Sequence, residues 1–375
     1  MSDFQEFLLP VDRAMINEDE AFNDFQSGGF FEIHEDRHFP DWEQAQLVLI
    51  GTGECRGAGG ESNSDAPDKI RKQLYPLYHW HRDIPVADLG NLRSGASLQD
   101  TYAVLKMVLS EIVDAGKTVI ILGGSHDLTY AQYQAYAKEE KFIEAAITDA
   151  LIDLQQDGQL PANSFLMDML TEQPNYIRHY SHIGFQSYFV HPRMLETLDK
   201  LRFDCYRLGK VRENLEEMEP VLRHADMLSF DMCAVRHAEA PAAAWSPNGF
   251  GGDEACALAR YAGMSSRLSS FGIYGYRPEL DTNNLTALQI AQMIWYFVDG
   301  RFVKNRESAL HEKEAFWEFH ITFTDVEITF LKSKKTARWW MQLPGREYIP
   351  CSYQDYLTAS NNDIPERWLR AQERL

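Results

Sequence analysis

Short apolar runs punctuate the chain, most of them closing on a glycine or a polar residue. Residues 47–53 (LVLIGTG) and 117–122 (KTVIIL) are apolar almost throughout, the pattern of strands buried on both faces. Residues 180–188 (YSHIGFQSY), 227–232 (MLSFDM) and 269–275 (SSFGIYG) are further runs of strand length. Residues 145–154 fit a strand or a helix by period, and Ile147, Leu151 and Leu154 suit a strand and its exit. Helical spacing fills the intervals. Tyr102, Leu105, Val108 and Ile112 recur every three or four residues within 99–115, and Asp with Pro at 65–68 fits a helix start. Residues 128–138, 254–264 and 285–298 are predicted helices as well. Strands alternating with helices imply βαβ units and a mainly parallel sheet flanked by helices.

The two ends differ from this core. Residues 1–45 are acidic and irregular, with Phe30, Phe31 and Trp42 as anchors, and are read as a lead-in along the surface. Residues 315–341 alternate β-branched and aromatic side chains, which predicts an antiparallel hairpin turning near residues 332–335. The expected division is a lead-in over 1–45, an α/β domain over 46–305, and a β-rich extension over 306–375. That extension is expected to pack on the same domain or on a subunit interface.

Composition narrows the function classes. The chain has 375 residues, of which 45% are hydrophobic and 25% charged, ordinary for a globular protein. Its net charge of −20 disfavours nucleic acid and anionic lipid as partners, because phosphate binding needs clustered Lys and Arg. No apolar run is long enough to span a bilayer, and MSDFQEFLLP lacks the basic and apolar regions of a secretory signal. Five scattered cysteines without a C-x-x-C pair suit a reduced, cytoplasmic setting.

Three strand ends carry metal-type side chains: His126 in GGSHD, Asp149 and Asp153 in DALID, and Asp231 in SFDMC. Ligands of open parallel sheets bind beyond the carboxyl ends of the strands. One imidazole and three carboxylates meeting there would suit Mn²⁺, with Fe²⁺, Ni²⁺ and Zn²⁺ as alternatives. Each feature also has a plainer reading: a strand-to-helix turn for GGSHD, solvated carboxylates for the Asp pair. The loop GTGECRGAGG lacks the Gly-Lys-Ser/Thr ending of a phosphate-binding loop, and no G-x-S-x-G elbow accompanies Ser125.

The order and spacing of these motifs resemble the ureohydrolase superfamily of arginases, agmatinases and formimidoylglutamases. That family carries G-G-D-H-S, D-A-H-x-D and S-x-D-x-D-x-x-D-P, with a downstream A-P that this chain matches at Ala240-Pro241. The likeness runs from about residue 47 to about residue 302. It takes in Ala66, Pro67, Ile70 and Arg71, the strand end Asp88-Leu89-Gly90, and a closing segment most similar to the formimidoylglutamase branch. It implies a three-layer arginase-like fold, a homo-oligomer, and a pair of metal ions, typically Mn²⁺, that activate water against a cationic amidine or guanidine.

The departures fall unevenly. Of the family's six metal ligands, His126, Asp149, Asp153 and Asp231 survive, and these form the full protein shell of one ion. Leu151 stands where the second His belongs, and Cys233 where the second Asp of S-x-D-x-D belongs. Glu254 falls in register with the family's substrate-contacting Glu, and the helix dipole is its alternative use. Arg236 and His237 replace an acidic residue and a proline. The resemblance therefore implies a formimidoylglutamase-like hydrolase of linear amidine C–N bonds with one divalent metal and a degraded second site. The alternative is an inactive, metal-free member serving as a binding or scaffold protein, with a protein partner on the C-terminal extension.

Overall fold

The computed structural model describes residues 4–16, 21–137, 142–155, 160–243, 245–323, 326–345 and 347–373. Strands β1 (Leu8–Leu9), β2 (Glu32–Ile33), β3 (Leu47–Thr52), β4 (Val86–Leu92), β5 (Thr118–Leu122), β6 (Ile143–Thr148), β7 (Ile177–Phe185), β8 (Asp204–Arg207), β9 (Met227–Asp231) and β10 (Ser270–Tyr274) form one sheet. Its order is β1-β4-β3-β5-β10-β9-β6-β7-β8, with β2 also on β4. All pairings are parallel except β1 with β4. The mainly parallel α/β sheet anticipated from the apolar runs is therefore present, and β3, β5 and β10 are buried along their whole length.

Helices cover both faces, which is why the strands can be apolar on both sides. On one face, helix Leu98–Asp114 starts at a capping box made by Ser97 and Asp100 and buries Leu105, Val108, Leu109 and Ile112. On the other lie Ala66–Leu74, Gly252–Gly263 and Leu285–Asn305, whose inward residues join a core with Leu49, Ile120, Phe271 and Ile273. That core contains one fully buried ion pair. Arg71 reaches Asp88 with Nε and Nη2, both at 2.8 Å, and Tyr75 donates to the same carboxylate at 2.8 Å. The pair locks helix Ala66–Leu74 onto β4.

Two expectations at the ends need correction. The lead-in is not merely irregular: β1 and β2 both extend the sheet along the free edge of β4. The tail is not one hairpin but a separate antiparallel sheet of β11 (Phe316–Phe323), β12 (Val326–Ser333), β13 (Trp339–Gln342) and β14 (Tyr348–Cys351). The chain does turn after Ser333, but β11 and β12 already pair from Phe316↔Ser333 to Phe323↔Val326. Thr324 and Asp325, two successive polar residues, break the alternation at that earlier reversal. Helices Tyr353–Ser360 and Glu366–Gln372 complete the unit around Trp339, Tyr356 and Trp368.

The tail is tied to the body. Arg223 donates to the Trp339 carbonyl at 2.8 Å, and Arg338 donates to the Met264 carbonyl at 2.9 Å. No described helix is long and apolar enough to cross a membrane. All five cysteines are free thiols.

Candidate metal centre

The sheet order places β5, β10, β9 and β6 side by side, so three of the four strand ends in this row carry the candidate ligands. After β5 the chain turns through Gly123 and Gly124, both at positive φ. A Cβ on Gly124 would lie 2.3 Å from Leu128 Cδ1, so only glycine permits the sharp entry that swings His126 under the sheet end. Asp149 leaves β6, and Asp231 closes β9. At the end of β10, on the other side of β9, stands Gly275, with φ +81 and an ideal Cβ only 2.5 Å from Asp231 Oδ1. A side chain there would push the carboxylate aside.

The four side chains converge. His126 Nδ1 lies 3.3 Å from Asp149 Oδ2, 3.0 Å from Asp153 Oδ2 and 3.4 Å from Asp231 Oδ2. His126, Asp149 and Asp153 are buried, and Asp231 nearly so. Donors about 2.1 Å from a cation and at right angles are about 3 Å apart. The three distances from His126 Nδ1 are close to that spacing; His126, Asp149 and Asp153 form one group of potential ligands within 4.8 Å of one another, and Asp231 falls in a second group with Asp149 and Cys233.

Burial works against a charged His126, but Asp231 and the hydrogen bonds of Asp149 and Asp153 outweigh it and raise its pKa well above the ordinary value. Burial likewise opposes ionisation of Asp149, yet its bond to His126 and that residue's charge hold it down to about 2. Asp153 is pushed well up by burial and by the charge of Asp149.

Asp149 faces two ways. Its Oδ2 turns to His126, while its Oδ1 accepts the Leu151 N–H at 3.0 Å and the Cys233 thiol at 2.9 Å. Burial, then the charges of Asp149 and Asp231, push the Cys233 thiol well up, so it stays protonated and donates. Asp149, Asp231 and Cys233 thus form a second, weaker group of potential ligands beside the first.

Several contributors were not legible in advance. Ser229 Oγ lies 3.1 Å from His126 Nε2 and is itself bonded to Thr129, which fixes the ring with Nδ1 toward the carboxylates. Phe165 packs edge-on against the same ring at 4.7 Å. His182, on β7, approaches the Asp149 carbonyl at 3.2 Å, and burial pulls its pKa down to about 4. Ser229 sits within an identified motif, but nothing in the spacing marks Phe165 or His182.

Glu254 is drawn into structure. Its Oε2 accepts the Gly251 N–H at 2.7 Å, capping the start of its own helix, and its Oε1 takes Arg212 Nε at 3.0 Å. The extra positive charge of Arg236 is met by Glu239. Residues 156–159, in the loop after Asp153, lie outside the described residues.

Comparison with known proteins agrees with the architecture. The signature of the arginase family matches residues 45–299. A formimidoylglutamase of Vibrio cholerae is 24% identical over 286 residues, covering 68% of this chain and 83% of that relative. A second, from Hahella chejuensis, is 27% identical over 163 residues, covering 41% of this chain and 48% of its own length. Among solved structures, Bacillus subtilis formimidoylglutamase superposes with TM-score 0.66 at 18% identity, over 76% of this chain and 96% of that one. Trypanosoma cruzi formiminoglutamase, solved with Mn²⁺, gives 0.64 at 15% identity, over 74% and 98%. Since the matched span takes in every strand of the sheet except the two short ones on its β4 edge, the chain belongs to the arginase family.

Proposed function

We propose that this protein is a formimidoylglutamase-like hydrolase of linear amidine C–N bonds that works with one divalent cation. His126, Asp149, Asp153 and Asp231 would hold the ion, with Mn²⁺ preferred over Ni²⁺, Fe²⁺ or Zn²⁺ for so oxygen-rich a set. When bound, the cation supplies the charge that acidifies water near neutral pH. The observation that carries this reading is the approach of one imidazole nitrogen to three carboxylate oxygens within 3.0–3.4 Å.

The chain's own groups define the rest. Ser229 orients the His126 ring, and Asp149 divides its oxygens between the filled shell and the neighbouring pocket. Leu151 brings no lone pair to that pocket, and Cys233 brings a protonated thiol, so a second hard ion finds only Asp149 and Asp231. Glu254 can orient a cationic amidine only by releasing Arg212, an exposed partner whose loss costs little. A cytoplasmic homo-oligomer belongs to the same reading.

A second reading, a non-catalytic binding member, is favoured by one specific feature: the Cys233 thiol occupies Asp149 Oδ1 where the family's second ion would draw on it. Elemental analysis after loading with Mn²⁺, Ni²⁺ or Zn²⁺, with formimidoyl-glutamate, agmatine and guanidino acids as substrates, separates the two. One ion per chain with release of formamide, urea or ammonia supports the hydrolase. Failure to take up any of the three metals overturns it.

A further inference from the structure

A cavity of about 790 Å³ lies at the opposite end of the sheet from the His–Asp cluster. Its walls come from the segments entering β3, β5 and β10, from the end of helix Leu285–Asn305, and from the tail around Trp340 and Tyr348. The length of β5 alone puts cavity and cluster on the order of 15 Å apart. In a chain of net charge −20 this cavity is lined by six cations: Lys117, Arg223, Arg267, Arg301, Lys304 and Arg338.

Some of these are ordinary ion pairs. Arg267 meets Asp226 at 2.8 Å and Arg338 meets Glu307 at 3.0 Å. Arg223 Nε lies 2.9 Å from Glu219 Oε1, but without hydrogen-bond geometry, so Nε and Nη1 remain unbonded. Arg301 is the anomaly. It is 5% exposed, its contacts are the Thr118 hydroxyl and two distant carbonyls, and its Nε has no partner. A buried guanidinium normally has a carboxylate, because desolvating an uncompensated charge is costly. Among the described residues none is supplied.

Among the described residues, Lys117 bonds only the Glu43 carbonyl and Lys304 has no partner. The strain shows in the titration: burial draws Arg301 down to about 10, and burial with the neighbouring Arg301 lowers Lys304. Against Lys117, Arg301 and Lys304, the lining offers one carboxylate not already paired, Glu347. The excess of two positive charges defines the missing partner.

We propose that this cavity is a binding site for a small dianion with oxygen acceptors, a phosphate monoester or a dicarboxylate, held by Arg301, Lys304 and the unbonded Nη1 of Arg223. Guanidinium forks suit both kinds of ligand. The walls come from body and tail together, so a bound anion fastens one to the other.

Calorimetric titration of the full chain at fixed ionic strength, with inorganic phosphate, AMP and succinate as separate probes, tests this. At least one probe is expected to bind saturably and to raise the melting temperature. Lys304→Ala and Arg301→Gln are each expected to weaken it by about tenfold or more, with metal uptake unchanged. Preference for phosphate and AMP over succinate, or the reverse, identifies the source of the dianion. If Arg301→Gln fails to fold, Lys304→Ala decides. Absence of saturable binding by all three probes at millimolar concentration, or equal binding by folded variants, overturns the proposal.

Discussion

Asp149 separates two unlike environments. On its Oδ2 side stands the His126 imidazole, whose Nδ1 also lies 3.0 Å from Asp153 and 3.4 Å from Asp231. On its Oδ1 side stand a protonated thiol and the backbone of an aliphatic residue. Both sides share the same strand ends, although Leu151 and Cys233 are less deeply buried than His126 and Asp153. The difference lies in two side chains, Leu151 and Cys233, and it teaches that one aspartate at the end of a parallel sheet can present its two oxygens to neighbours of different chemistry. The ligands on each side depend on different residues around a common aspartate.

Breaking the shared residue has the largest expected effect. Asp149→Asn should weaken binding of a divalent ion by at least about 100-fold, read by calorimetry and elemental analysis, with the far-ultraviolet circular dichroism unchanged. Rebuilding the emptied side should have the next largest effect. Leu151→His combined with Cys233→Asp is expected to raise bound Mn²⁺ toward two ions per chain. No gain in bound metal would show that these positions do not face the pocket inferred for them.

A smaller effect is expected from Gly275→Ala. The new Cβ meets Asp231 Oδ1 at 2.5 Å, and alanine is strained at φ +81. The variant should lose about 1–3 kcal/mol in denaturant unfolding and bind metal more weakly, since Asp231 contributes to both sides. The mildest test is Ser229→Ala, which removes the anchor of the His126 ring. Metal affinity should fall by roughly tenfold while the melting temperature moves little, and an unchanged affinity would mean that packing by Phe165 alone positions the ring.

The two ends of the sheet make a parallel contrast. At the carboxyl ends, acidic groups gather around one imidazole. At the amino ends, guanidinium and ammonium groups gather with too few carboxylates. The first was visible in the sequence because its residues sit in compact motifs beside apolar runs. The second was not, because Lys117, Arg223, Arg301 and Arg338 are spread over more than half of the chain and follow no spacing rule.

Legibility elsewhere followed the same logic. The central strands could be located from LVLIGTG, KTVIIL and SSFGIYG because burial on both faces demands uninterrupted apolar runs. The edge strands Leu8–Leu9 and Glu32–Ile33 were missed because two residues carry no period, and they exist only through pairing with β4. The β11–β12 reversal is marked only by Thr324 and Asp325, a two-residue break in the alternation that the longer polar run at 332–335 outweighs. For Glu254 both uses were written in the sequence; the folded chain gives the carboxylate to Gly251 and Arg212.

By itself, then, the sequence determined the alternation of strand and helix, the family likeness, and the identity of the imidazole and aspartates at three strand ends, since each rests on local pattern. Tertiary structure alone decided that β10 comes between β5 and β9, that Asp149 turns one oxygen to His126 and the other to Cys233, and that Arg301 is buried without a carboxylate. Those outcomes depend on which distant segments become neighbours, and neighbours in space set the desolvation and hydrogen bonding that give a side chain its chemistry.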